Sequence, residues 1–189
     1  MKILYLNGSM TGNSDFFTKK FLEIEKQKHP KISIKEINLN QKLSSSVLQS
    51  DNMKKWFEDS QEWIDMVLWA DKIYLCCGMI NYGFSTVVKN WIDKIVAPRL
   101  TFSYTANGVE KPLKDKFSQK EFQVIYSSGS LISSYPPSIQ DYKNFLCYVL
   151  CFIGFDEKKM KFEWIDGLNA PENYGKTNEQ IWQERYSKK

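Results

Sequence analysis

The sequence predicts an α/β fold: a doubly wound, five-stranded parallel sheet with helices on both faces. Three observations predict it. Strand-type segments alternate with helix-type segments along the 189 residues, the order that builds a parallel sheet covered on both sides. One of them, KIYLCC at 72–77, is a continuous apolar run between Asp71 and Gly78, as in a central parallel strand. The loops after the first, third and fourth strands have unusual compositions, and ligands bind at those strand ends in open α/β sheets.

In chain order, residues 2–7 read as a buried strand. Residues 14–29 read as a helix, with Phe17, Phe21, Leu22 and Ile24 close to helical spacing. KISIKEINL, 31–39, alternates apolar and polar residues with one slip, as an edge strand does. Residues 40–51 form a polar loop. Trp56, Trp63, Ile64, Val67 and Leu68 recur in a helical pattern over 52–70. The central strand 72–77 leads through a loop to an amphipathic helix at 85–96, with Ser85 or Thr86 placed to cap it. TFSYTANG, 101–108, holds a turn signal and an extended segment. EFQVIY, 121–126, is the fourth strand and SSGSLISSYPPS a loop. A helix over 139–153, a last strand at 159–165 and a final helix within 176–187 complete the order. The whole chain, 1–189, reads as one domain.

Composition narrows the function. The chain is 42% hydrophobic and 15% aromatic, enough for a proper core. Its net charge of +4 comes from scattered lysines, not from a basic run interleaved with aromatics, so no nucleic-acid partner is expected. The longest apolar stretch, FLCYVLCFIGF at 145–155, falls far short of the roughly 20 residues of a spanning helix. No membrane role is expected, the N-terminus does not read as a signal peptide, and a cytoplasmic location follows. Cys76 and Cys77 are adjacent in a strand and face opposite ways; Cys147 and Cys151 share a helix face. All four read as buried free thiols, and no zinc spacing exists. His29, the only histidine, precedes Pro30 at a helix end. A catalytic unit built on histidine, or a metal site, is a poor expectation, and no side chain is assigned an acid–base role. Any reactivity is expected from a bound cofactor.

Three loops could hold one. The first, GSMTGNSDFF, is neither a Walker motif nor G-x-G-x-x-G. It offers Ser9, Thr11, Asn13, Ser14 and the backbone N–H groups of a helix start. That suits a single phosphate without any cation, or is simple capping by Asn13 or Ser14. The second, GMINYGFS, sets Met79, Ile80, Tyr82 and Phe84 around Asn81, which suits a flat heterocycle. The third, SSGS, has small residues that let backbone approach a ligand.

Taken together, these residues resemble the FMN-dependent NADH-azoreductases, a family of flavodoxin-like quinone and azo-dye reductases. The most specific part is MINYGFSTVVKNWIDKIV followed by TFSYTANG; FLCYVLCFIGF resembles the family's penultimate helix. The resemblance implies that Ser9, Ser14, Asp15 and Phe16 surround an FMN phosphate, although Phe16 replaces a family serine. Met79, Ile80, Asn81 and Tyr82 match the segment along the isoalloxazine, with Ile80 for the usual tyrosine and Gly78 for a proline. Ser127, Ser128, Gly129 and Ser130 match a Ser-Arg-Gly-Gly loop without its arginine and final glycine. Phe102 and Tyr104 match aromatics on the substrate side.

The resemblance therefore implies a flavodoxin-like, FMN-dependent oxidoreductase. It would accept a hydride from NADH (or NADPH) and pass electrons to a quinone or azo compound in a ping-pong cycle. A homodimer would complete the site. Two rival readings remain at this point. One is a flavodoxin-type electron carrier, against which the positive charge weighs. The other is a cofactor-free binding protein on the same fold.

Overall fold

The structure is a computed structural model that describes residues 1–44 and 47–186. Of the expected loop at 40–51, Ser45 and Ser46 lie outside the described residues, as does the expected end of the last helix at Ser187.

Five parallel strands form one sheet. They are β1 (Lys2–Asn7), β2 (Ser33–Asn38), β3 (Lys72–Gly78), β6 (Glu121–Ser127) and β7 (Met160–Ile165), in the spatial order β2-β1-β3-β6-β7. The expected doubly wound sheet is the one observed, with β2 at an edge. The missing pair is a hairpin in the expected turn, β4 (Ser103–Thr105) with β5 (Gly108–Glu110). Side chains alternate across the strands and build two cores. Leu4, Leu6, Ile73, Leu75, Val124 and Tyr126 face one way; Ile3, Tyr5, Tyr74, Cys76 and Ile125 face the other.

Two helices cover the second face. Phe17 and Leu22 of α1 (Asn13–Lys28) pack there with Ile181 and Trp182 of α8 (Asn178–Tyr186). The first face takes Leu39 of α2 (Leu39–Lys42) and the apolar sides of α4 (Ser60–Trp69), α5 (Thr86–Ile95) and α7 (Asp141–Ile153). Two single-turn helices remain, α3 (Met53–Trp56) and α6 (Lys114–Phe117).

The helix expected over 52–70 is broken in two. A continuous helix would need the Trp56 carbonyl as acceptor for Ser60. Lys94 Nζ takes that carbonyl instead (2.5 Å), and Ser60 N–H turns to Phe57 O (3.2 Å). The same ammonium pairs with Asp59 (2.5 Å) and lies 4.1 Å from the Trp56 ring centre. The expected faces of the cysteines hold: Cys77 lies in one core and Cys76 in the other, and all four thiols are free. Cys151 is half-buried, so one of the four is less sheltered than expected. Among the described residues no helix is long and apolar enough to cross a membrane, and no cluster suits a metal ion.

Candidate functional site

The strand order reverses between β1 and β3, and a crevice opens beyond the carboxyl ends of such strands. The loop leaving β1 is braced from below. Gly8 N–H donates to Cys76 O (2.9 Å), and its carbonyl accepts the Ser85 hydroxyl (3.2 Å). A Cβ at Gly8 would sit 2.4 Å from Val88 Cγ2, so only glycine lets the loop pass this close to α5. Asn7 Oδ1 accepts Ser9 N–H (3.0 Å), Ser9 Oγ accepts Gly12 N–H (3.1 Å), and Ser9 O accepts Asn40 Nδ2 (2.8 Å).

The start of α1 is left open. Its N-cap is Gly12, in the left-handed region (φ 83°), and no side chain caps it. The capping reading of this loop therefore fails. Asn13 Oδ1 accepts Asn178 Nδ2 from α8 (3.0 Å). The Ser14 hydroxyl is fully buried, lies beside the Cys76 thiol and makes no well-formed hydrogen bond among the described residues. A buried hydroxyl without a well-formed hydrogen bond is unfavourable and rare in folded proteins. Ser85 stands at the N-cap of α5 as expected, but its hydroxyl serves Gly8 and caps nothing.

The loop leaving β3 makes a two-residue reverse turn. Ile80 and Gly83 exchange both backbone hydrogen bonds (3.0 Å each), and Asn81 (φ 47°) and Tyr82 (φ 64°) occupy the centre. Two consecutive left-handed residues define a tight hairpin turn that favours asparagine and glycine; tyrosine there is strained. The strain displays Tyr82, which is 66% exposed and edge-on to Tyr135. Met79 N–H ties the turn to Ser127 O (2.8 Å), and Tyr126 Oη donates to Gly83 O (3.2 Å).

The loop leaving β6 is zipped to the one leaving β7. Leu168 N–H donates to Ser128 O, Asn169 N–H to Gly129 O and Gly167 N–H to Ser130 O. Between these loops lies a cleft of about 150 Å³. Its walls are Met10, Thr11 and Asn13 from the first loop, Gly78, Met79 and Ile80 from the second, Ser127, Ser128 and Gly129 from the third, and Leu168 with Asn169 from the fourth. None of these carries a charge. A larger hollow, about 650 Å³, shares no wall with it; it holds the Lys94–Asp59 pair, whose charges satisfy each other.

The flavodoxin-like fold family matches residues 1–185. The chain belongs to that family. Among its relatives, the FMN-dependent NADH:quinone oxidoreductase of Mycoplasmopsis pulmonis (strain UAB CTIP) is 30% identical over 188 residues, 95% of this chain and 91% of the relative. That of Mycoplasma mobile (strain ATCC 43663 / 163K / NCTC 11711) is 28% identical over 179 residues, 90% and 86% of the two chains. A similar fold is seen in the FMN-dependent NADH-azoreductase from Bacillus anthracis str. Ames Ancestor in complex with FMN. The TM-score is 0.71 at 19% identity, covering 100% of this chain and 95% of that one. The azoreductase from Bacillus anthracis str. Sterne gives 0.75 at 18% identity, covering 97% and 94%.

On this flavodoxin-like frame the predicted site residues separate into two groups. Met79, Ile80, Ser127, Ser128 and Gly129 line one cleft; Ser9, Ser14 and Ser130 lie in the same loops but are not among its walls. Asn81 and Tyr82 crown the turn above it. Asp15, Phe16, Phe102 and Tyr104 do not line it. Asp15 is bonded to Tyr5 and Lys19. Phe16 packs edge-on against Phe17, with the Lys20 ammonium 5.6 Å from its ring centre. The Ser128 hydroxyl turns inward, donating to Ser130 O (3.0 Å) and accepting Trp164 Nε1 (2.9 Å). Phe102 and Tyr104 stand on the hairpin, where Phe102 packs on Phe152 of α7. Met10 was missed within the first loop, and Leu168 and Asn169 beyond the last strand. The signal for the last two was the turn sequence DGLNAP after the last strand, at the same sheet edge as the other three loops.

Proposed function

We infer that this flavodoxin-like protein is an FMN-dependent NAD(P)H oxidoreductase that passes two electrons to quinones or azo compounds. The observation that carries the reading is one uncharged cleft with the uncapped start of α1 on one side, through Thr11 and Asn13, and the Met79–Ile80 turn on another. A flavin mononucleotide has a part for each, a phosphate monoester and a flat ring. The names of the full-length relatives, FMN-dependent NADH:quinone oxidoreductases, support the same assignment.

The residues divide the work. Ser9, Ser14 and the first N–H groups of α1 would hold the phosphate, using the helix dipole where a lysine is absent. Met79, Ile80 and the Asn81–Tyr82 turn would lie along the ring, with the backbone of Ser127, Ser128, Gly129 and Ser130 on the other side. Once bound, FMN supplies the hydride acceptance and donation that no side chain here provides. The protein positions the ring, keeps one face open to flat partners, and excludes charge from the cleft.

A homodimer fits the outer surface. Tyr104 on the hairpin is 77% exposed, and Phe145 and Tyr148 display apolar surface from α7 at helical spacing. A second copy covering this face would bring the substrate-side aromatics Phe102 and Tyr104 into an enclosed site. Free thiols throughout suit the reducing cytoplasm. The whole chain, 1–189, acts as one FMN-binding domain.

The test is anaerobic stopped-flow. FMN-loaded protein mixed with NADH should lose its flavin absorbance in one two-electron phase, and a benzoquinone or azo dye should restore it. Reduction slower than dye turnover in a control oxidoreductase, or no flavin binding, would return the chain to the electron-carrier or cofactor-free reading.

A further inference from the structure

Beneath the phosphate seat the chain holds a carboxylate that the cleft does not use. Asp15 lies in the first turn of α1, among the N–H groups proposed for the phosphate. A carboxylate in that turn can cap the helix or lean out over its start. Asp15 does neither, since α1 has no side-chain cap and Asp15 is not a wall of the cleft. Its Oδ1 accepts the hydroxyl of Tyr5, which is fully buried in β1, and its Oδ2 accepts Lys19 Nζ (2.9 Å).

The tyrosine is itself fixed. Its oxygen meets Cys76 Sγ (3.2 Å), Cys76 Sγ donates to Asn7 Oδ1 (3.3 Å), and the same Asn7 oxygen braces Ser9 N–H. Two hydrogens, one on the phenol and one on the thiol, serve three contacts. An ionised carboxylate only accepts, so the phenol proton goes to Asp15 and the thiol proton to Asn7. Burial pushes the titration of Tyr5 far up, and the neighbouring Cys76 and Asp15 add to it, so the phenol keeps its proton. The Lys19 contact is largely exposed and weak by comparison.

We propose that Tyr5 is a positioning residue for anion binding. It holds the Asp15 carboxylate down against the sheet, so that the first turn of α1 presents N–H groups and not a negative charge to the FMN phosphate. This rests on the flavin reading above. Without the phenol, the carboxylate is free to turn toward the helix start, beside the N–H groups that would hold the dianion. Repulsion between the two in a partly solvated site weakens binding about tenfold.

The experiment titrates apoprotein with FMN and with riboflavin, which lacks the phosphate. Tyr5→Phe keeps the ring and should weaken FMN about tenfold while moving riboflavin less than twofold. The difference should shrink in 1 M salt. Adding Asp15→Asn to Tyr5→Phe should bring FMN affinity back. Equal losses for both flavins, or a loss that Asp15→Asn does not reverse, would make Tyr5 merely structural and overturn the proposal. Should Tyr5→Phe not fold, Asp15→Glu carries the carboxylate one methylene past the phenol: a loss confined to FMN supports the proposal, and an unchanged FMN-to-riboflavin ratio overturns it. An unsubstituted protein that binds neither flavin would overturn the flavin reading itself, and this proposal with it.

Discussion

Ser14→Ala should move two observables in opposite directions. In the apoprotein the hydroxyl is buried with no well-formed hydrogen bond, which is unfavourable by about 1–3 kcal/mol. Alanine removes that group and is a better helix former than serine by a few tenths of a kcal/mol. No cap is lost, because Gly12 is the N-cap and Ser14 caps nothing. The Ser14 carbonyl, which accepts the Thr18 hydroxyl (2.7 Å), is untouched. The apoprotein should therefore gain about 1 kcal/mol, or about 2–4 °C in Tm for a chain of this size. The sign reverses when FMN binds. A hydrogen bond to a charged phosphate contributes about 1.5–3 kcal/mol, so the variant should bind FMN about ten- to a hundredfold more weakly. Thermal melts of the apoprotein followed by circular dichroism give the first quantity, and quenching of flavin fluorescence gives the second. A lowered Tm with unchanged FMN affinity would refute the reasoning and make Ser14 an ordinary packing residue.

Three further outcomes are expected. Gly8→Ala should destabilise by about 1–3 kcal/mol in urea, because its Cβ would press on Val88 Cγ2, and Val88→Ala in the same chain should relieve part of that; equal stability of the two chains would sink the close-approach argument. Asn81→Gly removes the amide but keeps the turn, whereas Asn81→Ala also forces a left-handed alanine, so the alanine variant should bind FMN about fivefold more weakly than the glycine variant in the same titration. Light scattering at micromolar concentration should give about twice the 22.2 kDa chain mass, and Tyr148→Glu should shift it toward the monomer.

The alternation of five parallel strands with helices, the edge position of β2 and the unusual loops at the strands' carboxyl ends were legible in the sequence. These features depend on local signals: the apolar run at 72–77, the period-two pattern at 31–39, and glycine with hydroxyls where strands end. The turn at 79–82 was legible as unusual, since apolar and aromatic residues rarely crowd a loop. Its left-handed backbone was not, because only the paired Ile80 and Gly83 force that geometry.

What the tertiary structure alone decided involves partners distant in sequence. The break between α3 and α4 arises because Lys94, from another helix, takes the Trp56 carbonyl. Residues of the first loop and helix start divide by their neighbours: Ser14 is buried without a well-formed hydrogen bond, Asp15 is bonded to Tyr5, and Phe16 packs edge-on against Phe17. Ser128 is turned inward by Trp164, and the fourth wall of the cleft comes from the loop after β7. Spacing along a chain determines periodicity, and periodicity determines which face of an element is buried. Which donor meets which acceptor across the sheet is determined only when the strands pair in register and bring β1, β3 and α1 to the same end.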